Sequence, residues 1–364
     1  MRLVFGFMTG TSLDGLDAAA VRLSGAGLEL RLVDIPATVS LEFPAALADS
    51  LRALASGGSM PAADIARTAR ELGELHAAAA RELSEQTGSP DLACAHGQTV
   101  FHAPPDSWQL FNPWPLAREI HRPLVYDLRG ADLAAGGQGA PITPIADWVM
   151  FRDERESRAI VNLGGYCNIT LLPANAPPEG VIGMDVCACN HLLNAAARLA
   201  LHQPFDRNGA GASRGAPDAS AVDTLAQLLG AQRGDRRSLG SGDELEAALA
   251  PFASLAPHDL LASVVLAVAR AIAQALRAHS PHRVLLAGGS TRNAALTRAL
   301  SEALPGIRVE PTDAHRVPAT HREAASFAVL GALCADRTPI TFPSITGCAP
   351  NALISGSWIN PTQR

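Results

Sequence analysis

Gly6-Phe7-Met8-Thr9-Gly10-Thr11-Ser12-Leu13-Asp14-Gly15-Leu16-Asp17 is the stretch on which the fold of this chain turns. It follows the apolar run Leu3-Val4-Phe5 and leads into Ala18-Ala19-Ala20-Val21-Arg22-Leu23. Two short apolar runs joined by Gly, Thr and Ser predict a β-hairpin. Glycines let backbone N–H groups come close to a phosphate, and Thr11 and Ser12 add hydroxyl donors. Taken alone, such a turn is more often a polar connection that binds nothing.

Composition narrows the possibilities. A length of 364 residues suits two domains or one large one. Apolar residues make up 48% and aromatics only 4%, so Ala, Leu and Val must fill the core. A net charge of −6 gives no electrostatic case for nucleic acid or an anionic membrane surface. Every basic side chain is Arg, and the absence of Lys excludes a Walker-type phosphate loop. Any phosphate must then be held by backbone, hydroxyls, Arg or a metal. No secretory signal is expected after Met1-Arg2, and no apolar run is expected to approach the ~18 residues of a membrane span. Six cysteines without C-x-x-C spacing point to a reduced, cytoplasmic protein.

Strands are expected near 2–8, 17–23 and 28–34, followed by an Ala-rich helix at about 61–87, where Ile65, Leu72, Leu75 and Ala79 recur at helical spacing. Strands at 91–95 and 123–127 flank a Pro- and Trp-containing loop, Ala103 to Trp114. A Gly-rich loop at 133–141 opens a helix at 144–151. The charged run Arg152 to Arg158 reads as a solvated domain junction. A second set of strands follows at 159–163, 167–172 and 180–184, with helices near 190–201, 218–230 and 257–279. Strand 283–287, helix 291–304, strand 307–310 and helix 322–336 close the pattern. The order suggests a duplicated α/β unit with a cleft between its halves.

Several strings carry candidate chemistry. Asn162-Leu163-Gly164-Gly165-Tyr166-Cys167-Asn168-Ile169-Thr170 is a second strand–Gly–Gly–strand hairpin, and Ala287-Gly288-Gly289-Ser290 a strand–Gly–Gly–helix start that Ser290 or Thr291 would cap. His96-Gly97-Gln98-Thr99 stands at a strand's carboxyl end, a place suited to hydroxyl recognition. In Asp127-Leu128-Arg129-Gly130-Ala131-Asp132, Arg129 is free to grip a carboxylate or to pair locally with Asp127 or Asp132. Asp185, where an apolar strand meets a helix, reads either as a general base or as a helix N-cap. Glu323 lies near a helix start. Cys187, Cys189 and Cys167 lack a fourth ligand for a metal.

These strings, in this order, resemble the anhydro-N-acetylmuramic acid kinase family of the actin-like sugar-kinase superfamily. The family's Gly-x-Met-[Ser/Thr]-Gly-Thr-Ser-x-Asp-Gly-x-Asp, His-Gly-Gln-Thr-x-x-His and Asp-x-Arg-x-x-Asp-x-Ala-x-Gly-Gly-Gln-Gly-Ala-Pro patterns all have counterparts here. The resemblance spans about 4 to 346. It implies two actin-like (ribonuclease H-like) α/β domains, 1–156 and 157–364, around a central cleft, with the last helix free to pack back on the first. It implies ATP and Mg²⁺, and phosphorylation of 1,6-anhydro-N-acetylmuramic acid coupled to hydrolytic ring opening, in cell-wall recycling. Asp185 would be the catalytic base. Gly10, Thr11, Ser12, Asp14, Gly15, Asp17, Gly164, Gly165, Asn168, Gly288 and Gly289 would lie with the nucleotide, and His96, Gln98, Thr99, Arg129, Asp132 and Glu323 with the sugar. The magnesium ligands are not legible. The expected partner is a small sugar, with neither nucleic acid nor membrane, and frequent dimers in the family leave a homodimer open. Two departures stand out: Asp-x-Gly-Pro-Gly-Asn becomes Asp185-Val186-Cys187-Ala188-Cys189-Asn190, and the segment 235–245 diverges. They leave open a kinase for another hydroxylated metabolite, or a nucleotide-binding regulator without catalysis.

Overall fold

The computed structural model describes residues 1–10, 13–231, 243–350 and 353–361. Thr11, Ser12 and the 235–242 part of the divergent segment lie outside the described residues.

The chain opens with β1 (Arg2–Thr9), β2 (Gly15–Ser24) and β3 (Arg31–Glu42), successive antiparallel neighbours. After α1 (Ala45–Ala55) and α2 (Ala62–Thr87) comes β4 (Leu92–Ala95), parallel to β1. A separate ribbon of β5 (Gln98–Ala103) and β6 (Asp106–Leu110) precedes α3 (Trp114–Ile120) and β7 (Leu124–Tyr126), parallel to β4. Then follow α4 (Gly130–Ala134) and α5 (Pro144–Phe151). A second series starts with β8 (Arg158–Leu163), β9 (Tyr166–Leu172) and β10 (Ile182–Ala188). It continues through α6 (Asn190–Leu201), α7 (Ala219–Ala231), α8 (Asp243–Leu249) and α9 (Pro257–Arg277) to β11 (Arg283–Ala287), α10 (Ala294–Ala303) and β12 (Arg308–Pro311). Last come α11 (Arg322–Ala335), α12 (Pro343–Thr346) and β13 (Ser357–Ile359).

The sheets run β13-β7-β4-β1-β2-β3 and β10-β9-β8-β11-β12. Leaving aside β13, each puts its first strand in the centre, its second and third on one side, and two parallel strands on the other. That order defines the ribonuclease H-like fold of actin-like proteins, and the chain carries it twice. Two compact units hold the two sheets. Unit 1 comprises Met1–Arg152, Ala176–Ile182 and His315–Arg364; unit 2 comprises Asp153–Asn175 and Gly183–Ala314.

Unit 1 packs α2 and α11 onto its sheet, with Phe5, Phe7, Leu16, Leu72, Leu83 and Leu116 almost fully buried. Each such side chain contributes roughly 1.5–3 kcal/mol. Gly6 lets α11 lie directly on β1, since a Cβ there would stand 2.0 Å from the Ala324 carbonyl. Gly73 of α2 similarly admits the Asn112 carbonyl, 2.2 Å from where a Cβ would be. Unit 2 is organised around α9, which packs against α6, α7 and α10.

The structure departs from the sequence reading in several places. The segment Ala103–Trp114 is not wholly a loop, because it contains β6 and the end of β5 around Pro104-Pro105. Asp185 does not end a strand: β10 runs on to Ala188, and α6 begins at Asn190. Neither Ser290 nor Thr291 caps α10; Asn293 does, its Oδ1 accepting the Leu296 amide at 3.0 Å. The charged run does hold the boundary between the two units, with Glu154 and Arg155 exposed, but it is not wholly solvated. Glu156 accepts from Arg158 (2.7 Å) and Arg283 (2.8 Å), and Glu310 pairs with Arg283 and Arg308. These bonds tie together the starts of the parallel strands β8, β11 and β12. Lastly, α9 is long and apolar enough to cross a membrane, contrary to expectation, but 72% of its apolar window is buried inside the protein, as befits a core helix.

Candidate active site

In unit 1 the β1–β2 connection leaves the sheet at Gly10, where the Leu13 amide donates to the Gly10 carbonyl at 3.4 Å. Gly15 is required by close packing, since its Cβ would stand 2.5 Å from the Leu41 carbonyl. Asp14 is exposed. Asp17 faces Ser40 across the β2–β3 pair and accepts its hydroxyl at 2.6 Å. The same hydroxyl meets His321 Nε2 at 2.9 Å, and this joins the hairpin to the start of α11.

The end of β4 supplies the next groups. The His96 amide donates to the Phe7 carbonyl at 3.0 Å, and the ring packs on Phe327 at 4.9 Å. Arg129 Nε donates to His96 Nε2 at 3.1 Å, so that nitrogen is an acceptor and the ring is neutral. Burial, and then the Arg129 charge, hold the His96 pKa well below its ordinary value. Gln98 is fully buried. Its amide nitrogen donates to the carbonyls of Gly10 (3.2 Å) and Thr99 (3.3 Å), while Oε1 has no partner among the described residues. Thr99 beside it is half-buried.

Arg129 also donates to the Gly139 carbonyl, while Asp132 Oδ2 accepts the Gly139 amide at 2.7 Å. Asp132 is fully buried, and its other oxygen accepts from Thr346 at 2.6 Å. Both carboxylate oxygens therefore hold protein groups and fix the Gly-rich loop. Glu323, in the first turn of α11, has a carboxyl pKa raised by burial, with Arg322 opposing and Asp17 adding to the rise. Sequence reasoning missed the neighbour that anchors this turn. Arg322 and Asp147 form a buried bidentate pair, 1% and 0% exposed, with Nε to Oδ1 at 2.7 Å. A carboxylate inside the apolar run Ile145-Ala146-Asp147-Trp148-Val149 was the available signal.

In unit 2 Gly164-Gly165 makes the tight turn between β8 and β9, where Asn162 pairs with Asn168. The first amides of α6 close on this turn: Cys189 and His191 donate to the Gly165 carbonyl, Asn190 to that of Gly164. Asn190 also donates its side-chain amide to Leu163 and accepts from the Ser290 hydroxyl. Gly288, at φ +90°, packs against the Leu163 carbonyl, 2.7 Å from where a Cβ would be, whereas Gly289 is open. Asn162 Oδ1 is buried without a partner among the described residues.

Asp185 is exposed in mid-β10, and the residues after it turn inward: Val186, Cys187, Ala188 and Cys189 are at most 1% exposed. Both thiols of the Cys-Ala-Cys departure thus occupy unit 2's interior, and burial raises the Cys189 pKa well above its ordinary value. Among the described residues no group of three or more His, Cys, Asp or Glu side chains is placed to hold a metal ion.

A twice-used ribonuclease H-like sheet, with Gly-rich turns in both units, defines an actin-like α/β protein. Comparisons with known proteins narrow the class. A family model described as anhydro-N-acetylmuramic acid kinase matches residues 2–360. An anhydro-N-acetylmuramic acid kinase of Salinibacter ruber is 36% identical over 376 aligned residues, 96% of this chain and 94% of that one. Its namesake in Bordetella pertussis is 38% identical over 361, covering 95% and 93%. This chain belongs to the anhydro-N-acetylmuramic acid kinase family and is a phosphotransferase with an alcohol group as acceptor. Among solved structures, a ROK family glucokinase from Streptomyces griseus with glucose and AMPPNP superposes with a TM-score of 0.43 at 14% identity, covering 90% of this chain and 99% of that one. An activator of 2-hydroxyisocaproyl-CoA dehydratase from Clostridium difficile with bound ADPNP gives 0.44 at 13%, covering 91% and 94%.

Proposed function

We propose that this enzyme converts 1,6-anhydro-N-acetylmuramic acid, ATP and water into N-acetylmuramate 6-phosphate and ADP, in the cytoplasm, during cell-wall recycling. The observation that carries this reading is the family match over residues 2–360. In the reaction a water oxygen bonds to the anomeric carbon as the C1–O6 bond breaks. Asp185 takes the water's proton, and O6 bonds to the terminal phosphorus as ADP leaves. A positioned carboxylate base of this kind is worth about 10²–10⁴ in rate. The exposed position of Asp185 suits that task.

The groups present suit both substrates. Gly289, with no described residue within 4 Å of a Cβ position, and Asn162 Oδ1 beside Gly288, unpaired among the described residues, suit a nucleotide laid against backbone. Gly10, Thr11, Ser12, Asp14, Gly15, Asp17, Gly164, Gly165 and Asn168 would hold its phosphates. Oriented amides and hydroxyls supply most of what phosphoryl transfer needs. On the sugar side Gln98 Oε1 is a buried acceptor without a donor among the described residues, which a substrate hydroxyl would satisfy. His96, Thr99, Arg129 and Glu323 would complete that set, while Asp132 acts through the loop it fixes. The described residues form no metal cage, so magnesium would arrive with the nucleotide phosphates, as that ion commonly does.

The test is incubation with ATP, magnesium and 1,6-anhydro-N-acetylmuramic acid, following the phosphorylated, ring-opened sugar by mass. Product that vanishes in Asp185→Asn supports the reading. No product from protein that still binds ATP would move the assignment to another hydroxylated metabolite.

A further inference from the structure

We infer that the buried Arg322–Asp147 pair is a positioning device for Glu323, pinning the first turn of α11 to α5 so that the carboxyl is held at one point and in one electrostatic setting. The inference rests on the proposed role of Glu323 in the sugar site.

Three observations support it. The first is placement: Arg322 and Glu323 are adjacent in the first turn of α11, and Arg322 reaches 175 residues back along the chain to Asp147 on α5. The second is cost. Taking two charges out of water costs several kcal/mol each, and apolar residues of similar volume often stabilise a protein better, so folding alone gives little reason for this pair. Nor is the pair fully satisfied, since Arg322 Nη1 is buried with no partner among the described residues. The third is convergence. His321, Arg322 and Glu323 are consecutive, and their neighbours overlap. His321 reaches Ser40 and Asp17 on the hairpin side, and Arg322 grips Asp147. Glu323 lies within electrostatic reach of Asp17, Arg129, Arg322 and Asp147, and His96 lies beside Arg129. The two partners act on Glu323 with opposite sign: Arg322 favours its ionised form, Asp147 its protonated form.

That opposition supplies the test. The Glu323 carboxyl is followed by ¹³C NMR in full-length protein without substrate, with Glu323→Gln to assign its signal. Asp147→Asn leaves the Arg322 charge alone and should lower the midpoint. Arg322→Met with Asp147→Leu removes both charges in a packed, neutral form and should raise it. Each shift is expected to reach about half a pH unit, threefold in the ionisation constant. Arg322→Lys keeps the charge but loses the two-point grip, so it should hold the midpoint while kcat falls about tenfold at unchanged KM for ATP. Should Asp147→Asn fail to fold, the double variant and Arg322→Lys decide. Unmoved midpoints, with kcat intact in Arg322→Lys, would reduce the pair to a structural tie and overturn the inference. Glu323→Gln with full turnover would instead overturn the role of Glu323, leaving the titration result standing.

Discussion

Both units use one strand order, yet they handle charge in opposite ways. Unit 1 takes charged and polar groups into its interior: Asp132, Asp147, Arg322, His76 and His96 are all at most 4% exposed. Unit 2 keeps its ion network at the starts of its parallel strands, where Glu156, Arg158, Arg283 and Glu310 retain 11–22% of their side-chain surface. It fills its interior with Ala, Leu, Val and the thiols of Cys167, Cys187 and Cys189. A shared topology therefore sets where loops emerge but not what chemistry they carry. The proposed sugar-reading groups sit in the unit that takes charge into its interior, and buried polar groups reject ligands that fail to pair with them.

The contrast can be broken most severely at Gly6. Gly6→Ala puts a Cβ 2.0 Å from the Ala324 carbonyl and 2.4 Å from the Ala328 nitrogen, both backbone atoms that cannot swing aside. The expected loss is about 3 kcal/mol, the upper range for overpacking, read by denaturant unfolding. An unchanged midpoint would mean that α11 does not lie on β1 as described.

Acid should separate the two units. His76 is fully buried against Phe7 and Phe111, and burial lowers its pKa from 6.5 to about 4. The unfolded chain therefore binds this proton more readily than the folded one. The stability of the neutral form is intact above pH 6.5 and is lost as pH falls from 6.5 through about 4, at a cost of about 3 kcal/mol. His76→Leu should flatten stability across that window. In unit 2 the Arg283 bond is the largest influence holding Glu156 down, from 4.5 to about 2. Its contribution is present above pH 4.5 and lost as pH falls through about 2. Water screens the pair, so Glu156→Gln should cost only about 1 kcal/mol at neutral pH. Unfolding followed against pH checks both windows, and a single common transition near pH 3 would remove the distinction.

The smallest effect on stability is expected at Gly289, where an added Cβ meets nothing within 4 Å. Gly289→Ala should leave stability within about 0.5 kcal/mol. If the nucleotide lies against this turn, the KM for ATP should rise several-fold, and an unchanged KM would move the nucleotide elsewhere.

Much of the architecture was legible because periodicity carried it. The helix expected at 61–87 is Ala62–Thr87, and the strand–turn–strand signals of both hairpins fall where they should. What the sequence hid follows a physical pattern. β5 and β6 meet at Pro104-Pro105, and β6 alternates exposed and half-buried residues, so proline and polarity read as loop. α1 went unread although Leu47, Ala48 and Leu51 have helical spacing. β10 looked finished at Asp185 because a charge interrupts it, yet Val186-Cys187-Ala188 continue as buried strand. Around the candidate site, the Gly-rich turns themselves were readable from local chemistry. The setting of Asp132 depends on Thr346, and that of Glu323 on Asp147, partners that only the tertiary fold brings near.

One consequence of the fold concerns synthesis rather than catalysis. Unit 1 is interrupted in sequence by the whole of unit 2, and α11, the helix that Gly6 admits onto β1, arrives only with residues 322–335. On the ribosome the first sheet must wait, one apolar face uncovered, while some 170 further residues are made after α5. Unit 2 has all its strands by Pro311 and is free to fold before unit 1 can close. The nascent chain thus carries an uncovered apolar sheet face until α11, one of the last two helices to emerge, arrives to cover it.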